Sequence, residues 1–275
     1  MINPNRYSIT FACYNQVDYT KKCIASMVQH GLDLSRLVVV DNASTDDTVS
    51  YLSNLPLGGL IQNKHNLACG VAWNQGALAL QSEWTIIMNN DVIVSANWIE
   101  NLIATAEKYD LKVISPAMIE GLLDYDFNFF ANEYATKMQD SLRLGARHAV
   151  CLAVHQSVWL EVGYFQPIPK LLGYEDTIFF NDLSKANIKT GITGAAWLHH
   201  YGSITQSAMK QERGLSTKEG LPYRYNYRLL KQSWLTRKLK KITRFNQEKR
   251  WSAAEKASFG VTMHGLRFSG NFIWK

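Results

Sequence analysis

The chain has 275 residues, 47% of them hydrophobic and 19% charged, so it can bury one substantial core plus an appendage and is too long for a minimal module. Residues 1–205 carry 13 lysines and arginines against 19 acidic residues, or −6, whereas residues 206–275 carry 16 against 4, or +12. The N-terminus lacks the basic and then apolar order of a signal peptide, and no apolar run approaches ~18 residues, so we expect neither a secreted nor a membrane-spanning protein and predict a cytoplasmic location.

The first 90 residues alternate short apolar runs with segments of helical spacing. Strands are predicted at residues 7–13, 37–40, 58–62 and 84–88, and helices at residues 18–30, 44–54 and 68–81. This βαβαβαβ order predicts an α/β fold, with a mostly parallel sheet, right-handed crossovers and flanking helices.

The alternation weakens farther along the chain. We predict helices at 96–109 and 174–186 and strands at 112–115, 148–154 and 188–193. Residues 118–147 hold many aromatic and acidic side chains, and we predict a loop-rich segment there. We also predict two domains, residues 1–205 and a basic, helical C-terminal extension at residues 206–275.

The four cysteines are Cys13, Cys23, Cys69 and Cys151, without a C-x-x-C pair or a close cluster. This spacing indicates neither a zinc site nor a disulfide framework. We expect buried, reduced thiols.

Two predicted strands end in polar side chains. Asp41 and Asn42 follow the apolar run LVVV, and Asn89, Asn90 and Asp91 follow IIM. In open α/β sheets, ligands bind in a crevice at the carboxyl ends of the strands, so two such strand ends indicate one shared binding site.

These strand ends belong to an ordered set of motifs. The set comprises Val40-Asp41-Asn42-Ala43-Ser44-Thr45-Asp46, Asn66 to Gly76, Asn89-Asn90-Asp91, Glu175-Asp176 and His199-His200-Tyr201-Gly202-Ser203. In this order they resemble the inverting family-2 glycosyltransferases of the GT-A fold, and the VDNAS and NNDV forms resemble a rhamnosyltransferase-like branch. The resemblance covers roughly the first three quarters of the chain.

The resemblance implies a site for a nucleoside diphosphate sugar. It assigns recognition of the base to Asp41, and the donor-binding set that it implies is Asp41, Asn42, Asn74, Asn90, Ala12 and Tyr14. Two structural alternatives stay open: Asp41 and Ser44 form an Asx-type turn that caps the next helix, and helix–sheet packing accounts for most of the Asn66 to Gly76 motif.

The resemblance also implies a Mg²⁺ or Mn²⁺ ion shared with the donor diphosphate. Asp91 would be the main ligand, with Asn89 in the place of the family's first acid, and His200 or His199 would complete the site, His200 being preferred. Because Asn89 carries no charge, the site is less negative than the family's usual pair of acids. A polar turn after the strand is the alternative.

In the family, the Asp of the Glu-Asp pair is the general base that deprotonates the acceptor hydroxyl, and its neighbour helps to hold the acceptor. Here these residues are Asp176 and Glu175. A structural alternative exists because acidic residues are favoured at helix N-termini. Ile178 and Asp182 stand where the family often has another Asp and an Arg, which affects the expected acceptor contacts.

The resemblance therefore predicts a non-processive transferase that moves one sugar, from a dTDP-rhamnose or UDP-hexose class of donor, to a glycan or lipid-linked glycan acceptor in surface polysaccharide biosynthesis. A catalytically silent nucleotide-sugar or glycan-binding partner of a larger assembly is the alternative. The +12 tail raises a third possibility, nucleic-acid binding, but no nucleic-acid motif accompanies it, and we expect none.

The basic tail interleaves apolar and cationic residues, which is typical of a helix on an anionic membrane surface. The alternative is packing on the catalytic domain or in a homo-oligomer. The segment Gln247 to Trp251 also spells the Q-x-x-R-W of processive polysaccharide synthases. We interpret it as coincidence, because it lies far from the Glu-Asp pair and the chain lacks the spans of those synthases.

Overall fold

The computed structural model describes residues 3–167, 175–202, 204 and 233–275. The strands are β1 Tyr7–Cys13, β2 Leu37–Asp41, β3 Gly59–Gln62, β4 Trp84–Asn89, β5 Val92–Val94, β6 Val113–Gly121, β7 Leu142–Leu144, β8 Cys151–His155, β9 Thr190–His200, β10 His264–Phe268 and β11 Asn271–Trp274. The helices are α1 Val17–Gln29, α2 Thr48–Ser53, α3 Cys69–Ala79, α4 Trp98–Lys108, α5 Phe127–Lys137, α6 Gln156–Glu161, α7 Glu175–Lys185 and α8 Trp234–Phe259.

The strands form one curled, mixed sheet with the order β11-β10-β6-β8-β4-β1-β2-β3, and β5, β7 and part of β6 pair with β9. The β4-β1-β2-β3 half is parallel, as the βαβ alternation predicts. Strand β8 runs antiparallel to both β4 and β6, so the whole sheet is mixed. The α/β class is confirmed.

Helices cover both faces of the sheet. Ile86 and Ile87 are adjacent in β4 and fully buried, and they belong to different clusters because successive strand residues point to opposite faces. Ile86 packs with apolar residues of α1 and α4, whereas Ile87 packs with apolar residues of α3 and α7. This three-layer arrangement fixes the carboxyl ends of the parallel strands at one edge.

The prediction of loops over residues 118–147 is wrong. Strand β6 continues to Gly121 past a register shift between Pro116 and Ala117, and α5 follows with Asp126 as its N-cap, accepting from the Phe129 amide at 2.9 Å. Phe127 and Phe130 are core residues, and Phe130 stacks on Phe272, which lies far away in sequence. Local sequence does not report such a partner.

The C-terminal segment is helical, as predicted, and then returns to the sheet. Helix α8 ends at Phe259, and β10 pairs in parallel with β6. Arg143 and Glu255 form a buried two-bond ion pair, 2.7 Å for each bond, that ties α8 to β7. The predicted boundary at residue 205 lies outside the described residues and stays a prediction. None of the described helices is both long and apolar enough to span a bilayer.

Candidate active site

A cavity of about 1020 Å³ opens at the carboxyl ends of β1, β2 and β4. The predicted site residues on its lining are Ala12, Tyr14, Asn42, Asn89, Asn90, Asp91, Glu175, Asp176 and His200. Residues from strand ends distant in sequence therefore meet at one site, as the α/β topology requires.

Asp41 and Asn42 differ in their placement. Asn42 lines the cavity, and its side chain also bonds to Asn63 at 2.9 Å. Asp41 is 1% exposed, does not line the cavity, and accepts from the Ser44 amide at 3.0 Å, which is the Asx-type turn of the structural alternative. Ser44 accepts from the Asn15 amide and does not cap α2, which begins at Thr48.

The Asn66 to Gly76 segment packs closely on the sheet. A Cβ on Gly76 would lie 1.8 Å from Thr10 Oγ1, so only glycine allows this approach of α3 to β1. Asn74 does not line the cavity; its amide donates to the Phe165 carbonyl at 2.7 Å and accepts from the Phe165 amide at 3.0 Å. Ala68, where the family has glycine, has φ 71° and ψ 166°, a conformation that strains any residue with a Cβ.

Three charged side chains meet at the ends of β4, β6 and β9. His200 Nε2 lies 3.4 Å from Asp91 Oδ1, and His200 Nδ1 lies 3.6 Å from Glu120 Oε1. Burial alone would lower the pKa of His200, but the two carboxylates outweigh it and raise that pKa to about 9. At neutral pH this imidazole is therefore a cation between two anions.

Glu120 connects this cluster to the C-terminal strands. Its Oε2 accepts from His264 Nε2 at 2.9 Å and from Lys275 Nζ at 3.0 Å. The neighbouring His200 imidazole and then the hydrogen bond from His264 hold the pKa of Glu120 well below its usual range. Glu120, His264 and Lys275 all line the cavity and were missed by the sequence analysis, although an acid after an apolar run, VISPAMI, is the signal that identified Asp91.

His199 points away from the cavity because neighbouring strand residues alternate in direction. Its Nε2 lies 3.0 Å from the Gly121 carbonyl and its Nδ1 3.1 Å from Tyr125 Oη. Burial lowers the pKa of His199 to about 4. Of the two histidines, only His200 is placed to contact a cavity ligand.

The donor set for a divalent metal is small. Asp91 offers a carboxylate and Asn89 an amide at one point of the cavity, and the Asn89 amide nitrogen lies 3.4 Å from His200 Nε2. Within the described ranges, no three His, Cys, Asp or Glu side chains are arranged to hold a metal by themselves. This set fits an ion such as Mg²⁺, which commonly binds through one or two carboxylates together with substrate phosphates.

Glu175 and Asp176 begin α7 across the cavity. Asp176 is partly exposed, and its Oδ1 accepts from the Thr177 amide at 2.6 Å. Glu175 is 5% exposed, burial raises its pKa, and its Oε2 has no hydrogen-bond partner among the described residues. A Cβ on Gly70 would lie 2.9 Å from Glu175 Cβ, so α3 and α7 touch here. The preceding Gly173 and Tyr174 lie outside the described residues.

The lining separates into two charged surfaces. The acidic wall consists of Asp91, Glu120, Glu175 and Asp176. The basic wall consists of Arg147, Arg237, Lys240, Lys241 and Arg244. Four residues of the basic wall come from α8, which the sequence resemblance does not reach. Gln247 and Trp251 of the Q-x-x-R-W segment also line the cavity, whereas Arg250 does not.

Solved structures share this fold at low sequence identity. GalNAc-T7, crystallised with UDP, GalNAc and Mn²⁺, superposes with a TM-score of 0.57 and 13% identity over 70% of this chain and 43% of that chain. S. aureus TarS 1–349 in complex with UDP-GlcNAc superposes with a TM-score of 0.51 and 15% identity over 82% of this chain and 70% of that chain. These likenesses confirm the GT-A type of fold.

Sequence comparison gives the family. An uncharacterized glycosyltransferase of Haemophilus influenzae is 24% identical over 133 residues, which are 47% of this chain and 41% of the relative, so the chain matches about two fifths of that protein's length. The model of the family described as "Glycosyl transferase family 2" matches residues 8–158, more than half of the 275 residues. With its GT-A fold and its strand-end cavity, the chain belongs to glycosyl transferase family 2.

Proposed function

We propose that this protein is an inverting, non-processive glycosyltransferase that moves one sugar from a nucleoside diphosphate donor to a glycan acceptor in surface polysaccharide biosynthesis. One observation carries the proposal: the strand-end residues Asn42 and Asp91 and the carboxylate of Asp176 line the same cavity from different elements. Donor and acceptor can therefore occupy one space, which a direct transfer between them requires.

Asp176 is the proposed general base. It takes the proton of the acceptor hydroxyl while that oxygen attacks the anomeric carbon, and the bond from this carbon to the diphosphate breaks on the opposite side of the sugar. The transfer requires a carboxylate within about 3 Å of the hydroxyl. The amide of Thr177 holds one carboxylate oxygen of Asp176, which supports a fixed orientation. Glu175, buried beneath it, is a positioning residue that packs α7 on α3.

The departing diphosphate gains negative charge, and Asp91, Asn89 and His200 lie where it would bind. Asp91 and Asn89 would hold a Mg²⁺ or Mn²⁺ ion, which when bound neutralises part of that charge. The charged imidazole of His200 donates to phosphate oxygen. Asn42, Asn90, Ala12 and Tyr14 surround the proposed nucleoside position, and Asp41 shapes the turn behind them.

The donor is the least constrained part of the proposal. The structures of GalNAc-T7 and TarS were solved with UDP or UDP-GlcNAc, which supports testing UDP-hexoses first. The VDNAS and NNDV motifs keep dTDP-rhamnose in the same panel. Transfer from dTDP-rhamnose would place the protein in the rhamnosyltransferase-like branch.

Donor hydrolysis tests the proposed activity without an acceptor. Purified protein is incubated with UDP-hexoses, dTDP-rhamnose and a GDP-sugar, with Mg²⁺, Mn²⁺ or EDTA, and the free nucleoside diphosphate is quantified. We expect slow release from one nucleotide class, and Asp91→Asn should weaken nucleotide binding about ten- to hundredfold in calorimetry, since a charged contact is lost. Nucleotide binding without any hydrolysis or transfer would favour the silent binding partner instead.

We also propose that α8 attaches the enzyme to an anionic membrane surface, such as the inner face of the cytoplasmic membrane. The side of α8 that points away from the cavity carries large apolar side chains that are about half exposed or more: Trp234, Leu235, Leu239, Ile242 and Phe245. Lys238 lies over the Trp234 ring and Lys249 over the Phe245 ring, so cations border the apolar surface. This combination is typical of an interfacial helix.

Co-sedimentation with vesicles tests the attachment. We expect binding to vesicles with anionic lipid at low salt, little binding to neutral vesicles, and loss of binding in Leu235→Ser/Leu239→Ser/Ile242→Ser. The control Leu160→Ser changes a 90% exposed leucine outside α8 and should leave binding unchanged. If wild-type protein does not bind anionic vesicles, and is a homo-oligomer whereas the triple variant is a monomer, α8 is an oligomer contact.

A further inference from the structure

The basic wall contains an arginine whose hydrogen-bond partners are all neutral. Arg147 donates to the Phe180 carbonyl at 2.8 Å and to Ser184 Oγ at 2.7 Å, and also to the Gly145 carbonyl and Thr190 Oγ1. These oxygens fix the guanidinium in the cavity lining without neutralising it. These four bonds occupy the Nη–H groups, so Arg147 can attract an anion through its uncompensated charge and its remaining Nε–H.

Helix α8 adds further cations to the same surface. Lys240 and Lys241 line the cavity and form no ion pair with any residue in the described parts of the chain, whereas Arg244 pairs with Glu248 at 2.8 Å. Burial lowers the pKa of Arg147, and the charge of Arg244 lowers it further, so the two guanidinium groups repel each other. An anion between α8 and Arg147 would relieve this repulsion.

Arg147 contacts α7 about one to two turns away from the proposed base, Asp176. Asp176, Phe180 and Ser184 all line the cavity at a spacing of four residues, so they share one face of the helix. Arg147 contacts the last two of them, at residues 180 and 184. At 1.5 Å per residue, residues 176 and 184 are about 12 Å apart along the helix, which leaves room for a sugar between base and anion.

We propose that the basic wall binds a phosphate or diphosphate group carried by the acceptor. The assignment to the acceptor rests on the proposed function, because the donor diphosphate is expected near Asp91 on the acidic wall. The acceptor would then be an anionic glycan, with its phosphate held by Arg147, Lys240 and Lys241 and its hydroxyl presented to Asp176.

Inorganic pyrophosphate is a direct probe of the basic wall. Its binding is measured by calorimetry in EDTA, with and without a saturating nucleoside diphosphate chosen by screening UDP, dTDP and GDP. We expect pyrophosphate to bind in both conditions and more weakly at high salt. Loss of all pyrophosphate binding once the nucleotide is present would mean a single diphosphate site and would overturn the proposal.

Two charge-matched variants of α8 locate the site. Lys240→Ala/Lys241→Ala should bind pyrophosphate about ten- to hundredfold more weakly, because two charged contacts are lost. Lys238→Ala/Lys249→Ala removes the same charge from the other side of the helix and should change the affinity by no more than about twofold. Equal affinities in the two variants would rule out the basic wall. Donor hydrolysis is measured in wild type and in Lys238→Ala/Lys249→Ala, whose two lysines do not line the cavity, and should be normal in both, so a failure of the proposed function is detected separately.

Two competitors distinguish the sources of the phosphate. Decyl diphosphate represents a lipid-linked acceptor, and a glycerol phosphate oligomer represents a polyol phosphate polymer. Displacement of pyrophosphate by one of them, with the nucleotide still bound, supports the proposal and identifies the class. If neither displaces it, the anion site does not serve an acceptor of either kind and the assignment fails.

Discussion

The two walls of the cavity are built in different ways. The acidic wall is formed by strand ends and by the first turn of α7, and the charges of Asp91 and Glu120 are compensated: His200 lies between them, and Lys275 caps the cluster. The basic wall is formed mostly by one helix, and Lys240 and Lys241 have no acidic partner among the described residues. The compensated group of Asp91, Glu120 and His200 is preorganised for charge that moves during the reaction, whereas the unpaired lysines of the basic wall give it a positive charge that favours an anionic ligand.

The largest expected effect is on the acidic wall. Asp176→Asn removes the proposed base but keeps the size of the side chain, so the transfer rate should fall about 10²- to 10⁴-fold while nucleotide binding stays close to wild type. Asp182→Asn is the control, because Asp182 lies on the same helix, pairs with Lys185 and does not line the cavity. Transfer at the wild-type rate by Asp176→Asn would exclude this residue as the base.

The next effect concerns the buried ion pair of Arg143 and Glu255, which holds α8 on the sheet. Glu255→Ala leaves Arg143 buried without its partner, which typically costs about 3–5 kcal/mol in the free energy of unfolding. Urea denaturation measures it. The exposed pair of Arg244 and Glu248 is the matched control, and Glu248→Ala should cost no more than about 1 kcal/mol. Equal losses in both variants would show that the buried pair does not hold α8.

A smaller effect depends on pH. The pKa of His200 is raised from an ordinary value of 6.5 to about 9, so its stabilising charge is fully present below pH 6.5 and is lost as pH rises through 9. In metal-free protein the free energy of unfolding should therefore fall by on the order of 1–3 kcal/mol across this range. His200→Gln should flatten the curve between pH 6.5 and 9, and an unchanged slope would assign the loss to other groups.

The smallest effect tests strain beside the acidic wall. Ala68 has φ 71°, so Ala68→Gly should relieve strain and stabilise the fold by about 1 kcal/mol after the larger entropy of the unfolded glycine chain is subtracted. Ala72→Gly, in the regular interior of the same helix, should destabilise by about 1 kcal/mol. Thermal unfolding of the two variants gives the comparison, and a loss of stability in both would argue against strain at Ala68.

The acidic wall was largely predictable from sequence. Asn42, Asn89 and Asp91 follow short apolar runs that predict buried strands, and parallel strands bring such ends together. Glu120 follows the same kind of run, but Pro116 lies within it and suggests that the strand ends there. In the structure the strand continues past a register shift between Pro116 and Ala117. His264 could not be predicted because it depends on the pairing of β10 with β6, a contact between distant parts of the chain.

The basic wall was visible only as an excess of charge. The net charge of +12 follows from counting charged residues in the tail, but this count does not show which side chains face the cavity. The direction of Lys240 depends on how α8 is rotated about its axis, and the buried contact between Arg143 and Glu255 fixes that rotation. The sequence separation of this pair is 112 residues, so no local pattern reports it.

The two faces of α8 lie on one rigid body, with the cavity on one side and the exposed apolar side chains on the other. Any shift of the helix that improves its contact with a surface also changes the distance from its cavity-facing cations to Arg147. If α8 adsorbs to a membrane and the basic wall binds the acceptor, the two events are thermodynamically linked, and linkage is reciprocal: the factor by which a surface tightens acceptor binding equals the factor by which the acceptor tightens adsorption. Such an enzyme would be recruited most strongly to surfaces that already display its own substrate.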